Sequence, residues 1–271
     1  MNIENLTIII PIHEFNDEIK GYLLNAIKSI DNQEEINIKP EVLLVYSNNI
    51  KDQINDFLNN NIFDYKIQVL INENKTDFQS QINLAAKNIK TKYFSILEFD
   101  DEYSKTFIKN VHKYITFFDN VDIFLSMIVE VNNENKALKL TNEASWAQQL
   151  IGENGEAGYL NNNILNQYSD FKLSGSIIKT KEFLEIGGFK SNIEMTFMLE
   201  FLYRALNNAL KIYSMPKILY KHLSTRVDSL TDKYLKTVNI AERKFWFEIA
   251  KKEYNFNNDR TITKLIVEEN K

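Results

Sequence analysis

The first hundred residues alternate between short apolar runs and segments of helical periodicity, and this alternation constrains the fold more than any other feature. Leu6–Ile10 is a β-branched apolar run that stops at Pro11. Ile19, Leu23, Leu24, Ile27 and Ile30 then recur at helical spacing. Val42–Tyr46 repeats the buried-strand pattern and ends in Ser47-Asn48-Asn49, with a polar helix predicted over 52–60. A third strand over 67–71 ends in Asn72-Glu73-Asn74 and precedes a helix over 78–90. A fourth strand over 93–99 ends in Asp100-Asp101. Four strands, each followed by a helix, imply a parallel sheet with crossover connections. Continuously apolar strands fit a sheet covered on both faces. The polar strand ends at 11–16, 47–49, 72–77 and 98–101 should therefore converge at the carboxyl edge, where open α/β sheets bind ligands.

The second half is less regular. A strand is predicted over 121–131, followed by a polar, glycine-bearing excursion over 132–166 that contains Trp146. Another strand over 171–178 leads into a short helix, 180–186, stopped by Gly187-Gly188. A helix over 194–208 and short strands over 211–215 and 218–222 complete the domain, and a charged amphipathic helix over 232–254 ends it. No repeat, low-complexity linker or proline-rich boundary divides the chain.

The residue inventory narrows the chemistry. With no cysteine, thiolate nucleophiles, disulfides and cysteine zinc sites are excluded. The three histidines, His13, His112 and His222, share no zinc-ligand spacing. A bound metal would take mainly oxygen ligands, which points to Mg²⁺, Mn²⁺ or Ca²⁺. A formal charge of −5 offers no basic excess for nucleic acid. No P-loop, GxGxxG or G-x-S-x-G element occurs. The N-terminus lacks the features of a signal peptide and no run is long enough to span a bilayer, so a cytoplasmic location is expected.

Ile96-Leu97-Glu98-Phe99-Asp100-Asp101 is the most informative stretch. Strand alternation would send Glu98 and Asp100 to one face and Phe99 to the other. Two carboxylates on one face, with a third adjacent, repel unless a cation lies between them. A divalent ion held by one or two carboxylates and by substrate phosphates fits that arrangement. Acidic capping of the next segment is the plainer alternative.

The order of these elements resembles the family 2 glycosyltransferases with the GT-A fold. The first strand ends in Pro11-Ile12-His13-Glu14, the fourth in Leu97-Glu98-Phe99-Asp100-Asp101, like that family's DXD stretch. Ile186-Gly187-Gly188-Phe189 and Glu200-Phe201-Leu202-Tyr203-Arg204 are similar to its Gly-Gly-Phe turn and the helix beyond. The resemblance implies an α/β GT-A domain over 1–225, its mostly parallel central sheet flanked by helices. Residues 1–101 would be the nucleotide-binding half and 102–225 the acceptor half, with a helical appendage over 226–271. It implies inverting transfer of a sugar from a nucleoside-diphosphate donor, UDP-linked by expectation, to a glycan, protein or lipid hydroxyl, assisted by Mn²⁺ or Mg²⁺. Carried over position by position, Pro11, Ile12 and His13 would line the base and ribose, with Ser47 and Asn83 nearby. Asp100 would be the principal metal ligand and Asp101 its neighbour, Glu98 would meet the ribose or the ion's water shell, and His222 the metal or diphosphate.

Some positions depart from the family. Its base-reading Asp-Asp after the second strand is Tyr46-Ser47 here, and the arginine expected near Asn83 is missing, leaving Lys75 as a substitute. The Glu-Asp pair that supplies the catalytic base is replaced by Phe197-Met198. Glu194 and Glu200 are the carboxylates nearest in sequence to that gap. A degenerate relative that binds nucleotide-sugar or glycan without turnover is the competing expectation. Arg243-Lys244-Phe245-Trp246-Phe247 could touch a membrane surface or pack the tail onto the domain.

Overall fold

The computed structural model describes residues 5–34, 40–73, 75–143, 158–168, 170–191, 193 and 195–252. Nine strands form one sheet: β1 (Leu6–Ile12), β2 (Glu41–Ser47), β3 (Ile67–Asn72), β4 (Tyr93–Ile96), β5 (Glu102–Tyr103), β6 (Ile123–Val131), β7 (Ala137–Thr141), β8 (Ile177–Lys179) and β9 (Ile212–Leu223). Their order is β3-β2-β1-β4-β8-β6-β9-β5, with β7 paired to β6. The predicted first four strands form a parallel block, β3-β2-β1-β4. Beyond it the sheet is mixed: β8 runs antiparallel to β4 and β6, β9 parallel to β6, and β5 antiparallel to β9.

Both faces of the sheet are covered, and successive strand residues go to opposite cores. Ile8, Ile10 and Ile12 of β1 meet helices α1 (Asp17–Asp31), α2 (Lys51–Asn59) and α4 (Phe107–Phe117). Ile9, with Leu43, Val45, Phe94 and Ile96, meets α3 (Phe78–Asn88), α6 (Thr180–Glu185) and α7 (Phe197–Asn207). A short α5 (Asn162–Gln167) precedes α6. The strand predicted over 171–178 contracts to β8, whereas the two predicted short strands merge into the single β9, its pairing to β6 irregular around Pro216. The terminal amphipathic segment is two helices, α8 (Leu230–Thr237) and α9 (Ile240–Ala250), with Asn239 capping the second. Trp246 and Ala250 belong to the same core as α7. No helix among the described residues is long and apolar enough to cross a membrane.

Candidate active site

Strand order reverses between β1 and β4: β2 and β3 continue to one side of β1, and β4 lies on the other. A crevice at the carboxyl ends of these two strands is the topological switch point of an open α/β sheet. The expected strand to Phe99 is not formed. β4 ends at Ile96, and Asp101 N–H closes a turn onto Glu98 O at 3.1 Å. The chain turns there because β5 starts at Glu102 and must pair with β9, with Glu102 opposite Lys221 and Tyr103 opposite Tyr220. Alternation therefore no longer applies, and Glu98 is grouped with Asp101 rather than with Asp100.

Glu98, Asp101 and His222 each offer one donor atom within 4.8 Å of the others. Asp101 is fully buried and is fixed from β9: His222 Nδ1 lies 2.9 and 3.1 Å from its two oxygens, and Leu223 N–H donates to Oδ1 at 2.9 Å. Ser174 donates its hydroxyl to Glu98, and the Tyr220 hydroxyl accepts from Glu98 N–H at 3.0 Å. Gly175, beside Ser174, has φ +67°, and a Cβ there would collide with the Tyr220 ring, so the approach needs glycine. Burial and then the Asp101 charge raise the Glu98 carboxyl above its ordinary value. Burial alone would lower His222, but the charge and hydrogen bond of Asp101 outweigh it and push the imidazole up to about 9. The three donor atoms are close enough together to hold a metal ion, and its two carboxylates are the ligand type that hard divalent cations take.

Asp100 faces another way. Its Oδ2 accepts from Arg226 Nε at 2.6 Å, and the guanidinium lies over the Phe99 ring at 5.2 Å. Arg226 also approaches Glu14 at 3.4 Å, and Lys233 of α8 reaches the other Glu14 oxygen at 3.1 Å. Burial, with Asp101 and Glu98 nearby, pushes Asp100 up to about 7 against the pull of Arg226. His13 packs on Phe99 with ring centroids 5.1 Å apart, and burial lowers it to about 4, so the ring is neutral at physiological pH. Pro11 and Ile12 are buried at the end of β1, where Ile12 O accepts from Gln81 at 3.0 Å. Ser47 ends β2 and donates its hydroxyl to Asn49. The ends of β1 and β4 thus converge as the sequence implied.

Two other positions resolve differently. Both polar atoms of Asn83 serve Phe189: Nδ2 donates to its carbonyl at 2.7 Å and Oδ1 accepts its N–H at 2.8 Å. That side chain holds the Gly-Gly-Phe turn, which corrects its assignment to the nucleotide. Glu200 is buried and paired twice at 2.8 Å with Arg204, which also donates to Ile186 O and, at 2.7 Å, to Gly188 O. None of the partners of Glu200 belongs to the strand-end cluster, so it is a clamp on the same turn and not a free base. Glu194 lies outside the described residues, as does Trp146. Phe197 is buried among Phe78 and Phe189, and Met198 Sδ accepts from Leu173 N–H at 3.4 Å. In the tail, Trp246 is buried and Phe245 and Phe247 pack on the same cluster, so these rings face the domain.

Sequence reasoning passed over Arg226 and Ser174. Arg226 carried one usable signal: only four of the 32 basic residues are arginine, so this chain uses its planar fork sparingly.

A family described as Glycosyl transferase family 2 matches residues 7–178. No curated protein matches the chain. Among solved structures, S. aureus TarS 1-349 in complex with UDP-GlcNAc is similar at 16% identity and TM-score 0.62, covering 90% of this chain and 64% of that one. The UDP complex of TarS 1-349 aligns at 16% identity and TM-score 0.59, over 89% and 78% of the two chains. S. aureus TarS itself aligns at 17% and 0.58, over 82% and 37%. This chain therefore spans less than two thirds of the TarS chain bound to UDP-GlcNAc. At such identities the likeness establishes the fold.

Proposed function

The chain belongs to glycosyl transferase family 2, and from that premise we propose that it transfers a sugar from a nucleoside-diphosphate donor to an acceptor hydroxyl with inversion. The observation that carries this reading is the Glu98–Asp101–His222 cluster at the switch point of the sheet. These three residues would hold Mn²⁺ or Mg²⁺, which, when bound, stabilises charge on a departing diphosphate. Residues 1–101 form the donor half, 102–225 the acceptor half, and 226–271 the tail. Pro11, Ile12 and His13 would line the base and ribose, a neutral imidazole being able to stack or hydrogen-bond there. Ser47 gives one hydrogen bond to the base, less discrimination than a carboxylate pair provides. UDP is the expected nucleotide; TarS, of the same fold, is the protein with UDP and UDP-GlcNAc complexes. The proton of the acceptor hydroxyl is assigned to Glu194, a carboxylate base worth about 10²–10⁴-fold in rate.

One observation favours a second reading, a binding protein without turnover. Phe197 and Met198, at the positions where the family carries its acid pair, are built into the packing of the domain. Calorimetric titration with UDP, GDP and their sugar conjugates, with and without Mn²⁺, followed by donor hydrolysis, separates the two. Metal-dependent binding with hydrolysis supports transfer. Binding in which hydrolysis is absent, and acceptor-stimulated release is absent too, supports the second reading. No binding of any nucleotide by the folded protein refutes both.

A further inference from the structure

The end of β9 and the segment that follows it both grip the acidic turn. His222 and Leu223 take Asp101, and Arg226, a few residues on, takes Asp100. The second grip is well built. Arg226 is 8% exposed, its Nε is 2.6 Å from Asp100 Oδ2, and its guanidinium carbon lies over the ring of Phe99, the residue between Glu98 and Asp100. Asp100 is itself 9% exposed on the side-chain scale, so its charge has little water to turn to if the guanidinium leaves. His13 also packs on Phe99, and Glu14 holds Arg226 from the β1 side. Arg226 therefore bridges Asp100 and Phe99 of the acidic turn to Glu14 after β1.

We infer that Arg226 is a positioning residue that withholds Asp100 from the ion, so that Asp101, with Glu98 and His222, makes the protein's ligand set. This inference rests on the proposed ion site and names which carboxylate completes it. Its physical basis is charge. Three carboxylates lie within one turn, at 98, 100 and 101. A divalent ion that met all three would bind more tightly but keep fewer positions for the phosphates of a donor. Pairing one carboxylate with an arginine limits the protein to two and leaves coordination to the substrate. Lysine would supply the charge but not the planar fork.

The test uses the purified full chain and Mn²⁺ alone, with free ion counted by electron paramagnetic resonance, in wild type, D100N, R226Q and R226Q/D100N. D100N should change Mn²⁺ affinity by less than about threefold, because the carboxylate it removes is already committed. R226Q should bind Mn²⁺ on the order of tenfold more tightly, as the released Asp100 joins the ion. Adding D100N to R226Q should remove that gain, a non-additivity that simple removal of a nearby positive charge would not give. If R226Q does not fold, D100N alone decides. A loss of about tenfold or more in D100N, or an R226Q affinity equal to wild type, overturns the inference while leaving the ion site standing. Failure of wild type and every variant to bind Mn²⁺, even with UDP present, removes the ion site and the inference together.

Discussion

Replacing Glu200 by glutamine distinguishes a structural clamp from a catalytic base. Glu200 receives two hydrogen bonds of 2.8 Å from Arg204, has Lys190 at 3.3 Å, and is 3% exposed. Removing one partner of a buried ion pair costs about 3–5 kcal/mol. Glutamine keeps one acceptor for the guanidinium, so the lower end, about 3 kcal/mol, applies. At roughly 2–4 °C per kcal/mol for a domain of this size, Tm should fall by about 6–12 °C. Arg204 also ties the carbonyls of Ile186 and Gly188, so the Gly-Gly-Phe turn should loosen first. None of these groups borders the ends of β1 and β4, so nucleotide affinity should hold at temperatures below the transition. Thermal and urea unfolding give the stability, and titration with UDP and Mn²⁺ gives the affinity. An E200Q protein with Tm within about 2 °C of wild type but without turnover would refute the clamp and return Glu200 to the chemistry.

Two further outcomes are expected. Glu130 of β6 accepts from Lys172 at 2.8 Å and Thr141 at 2.7 Å, and these outweigh its burial to lower it from 4.5 to about 2. Its folded value lies below its unfolded one, so its contribution is full above about pH 4.5 and lost as pH falls toward 2, amounting to at most about 3 kcal/mol. E130Q should flatten the acid limb of the stability–pH curve by up to that amount, and an unchanged limb in urea titrations between pH 5 and 2.5 would count against the pairing. Trp246→Ala should destabilise the whole domain by about 3–5 kcal/mol in a single transition, because the indole belongs to the core under α7. A separate low-temperature transition of α8 and α9, with the main one unmoved, would mean the tail is an independent appendage.

Much of the donor half was legible because its signals are local. The β-branched runs of β1, β2 and β3 read as strands, and the helical periods between them as α1 and α3, since each pattern is set by its own residues. The parallel block and the converging strand ends followed from those periods alone. The end of β4 was misread for the opposite reason. Glu98 to Asp101 looks like a continuing strand, but its conformation is fixed by β9, more than a hundred residues later, through Leu223, His222 and the β5 pairing. A period cannot report a partner that distant. Asn83 and Glu200 failed in the same way: each is a polar residue on a helix, and only the fold reveals that both hold the Gly-Gly-Phe turn.

A signal for those distant partners did exist, in the choice of cation. This chain defaults to lysine, and the two arginines that precede its C-terminal helices, Arg204 and Arg226, are both nearly buried against a carboxylate. A lysine ammonium is strongly hydrated and makes a poor buried partner, whereas a guanidinium loses less water and offers fixed donors to several acceptors at once. Where coding or composition favours lysine, an arginine marks a position at which lysine would not serve. Arg204 uses that geometry to join α7 to a turn, and Arg226 to join the chain after β9 to the strand ends. Both pairs are buried, so both changes should lower Tm, but only Arg226 touches the acidic turn: R204K should leave ion affinity unchanged, and R226K should change it as well. If both lysine variants changed only Tm, Arg226 would be a second structural clamp and the carboxylate facing the ion would be set by His222 and Leu223 alone.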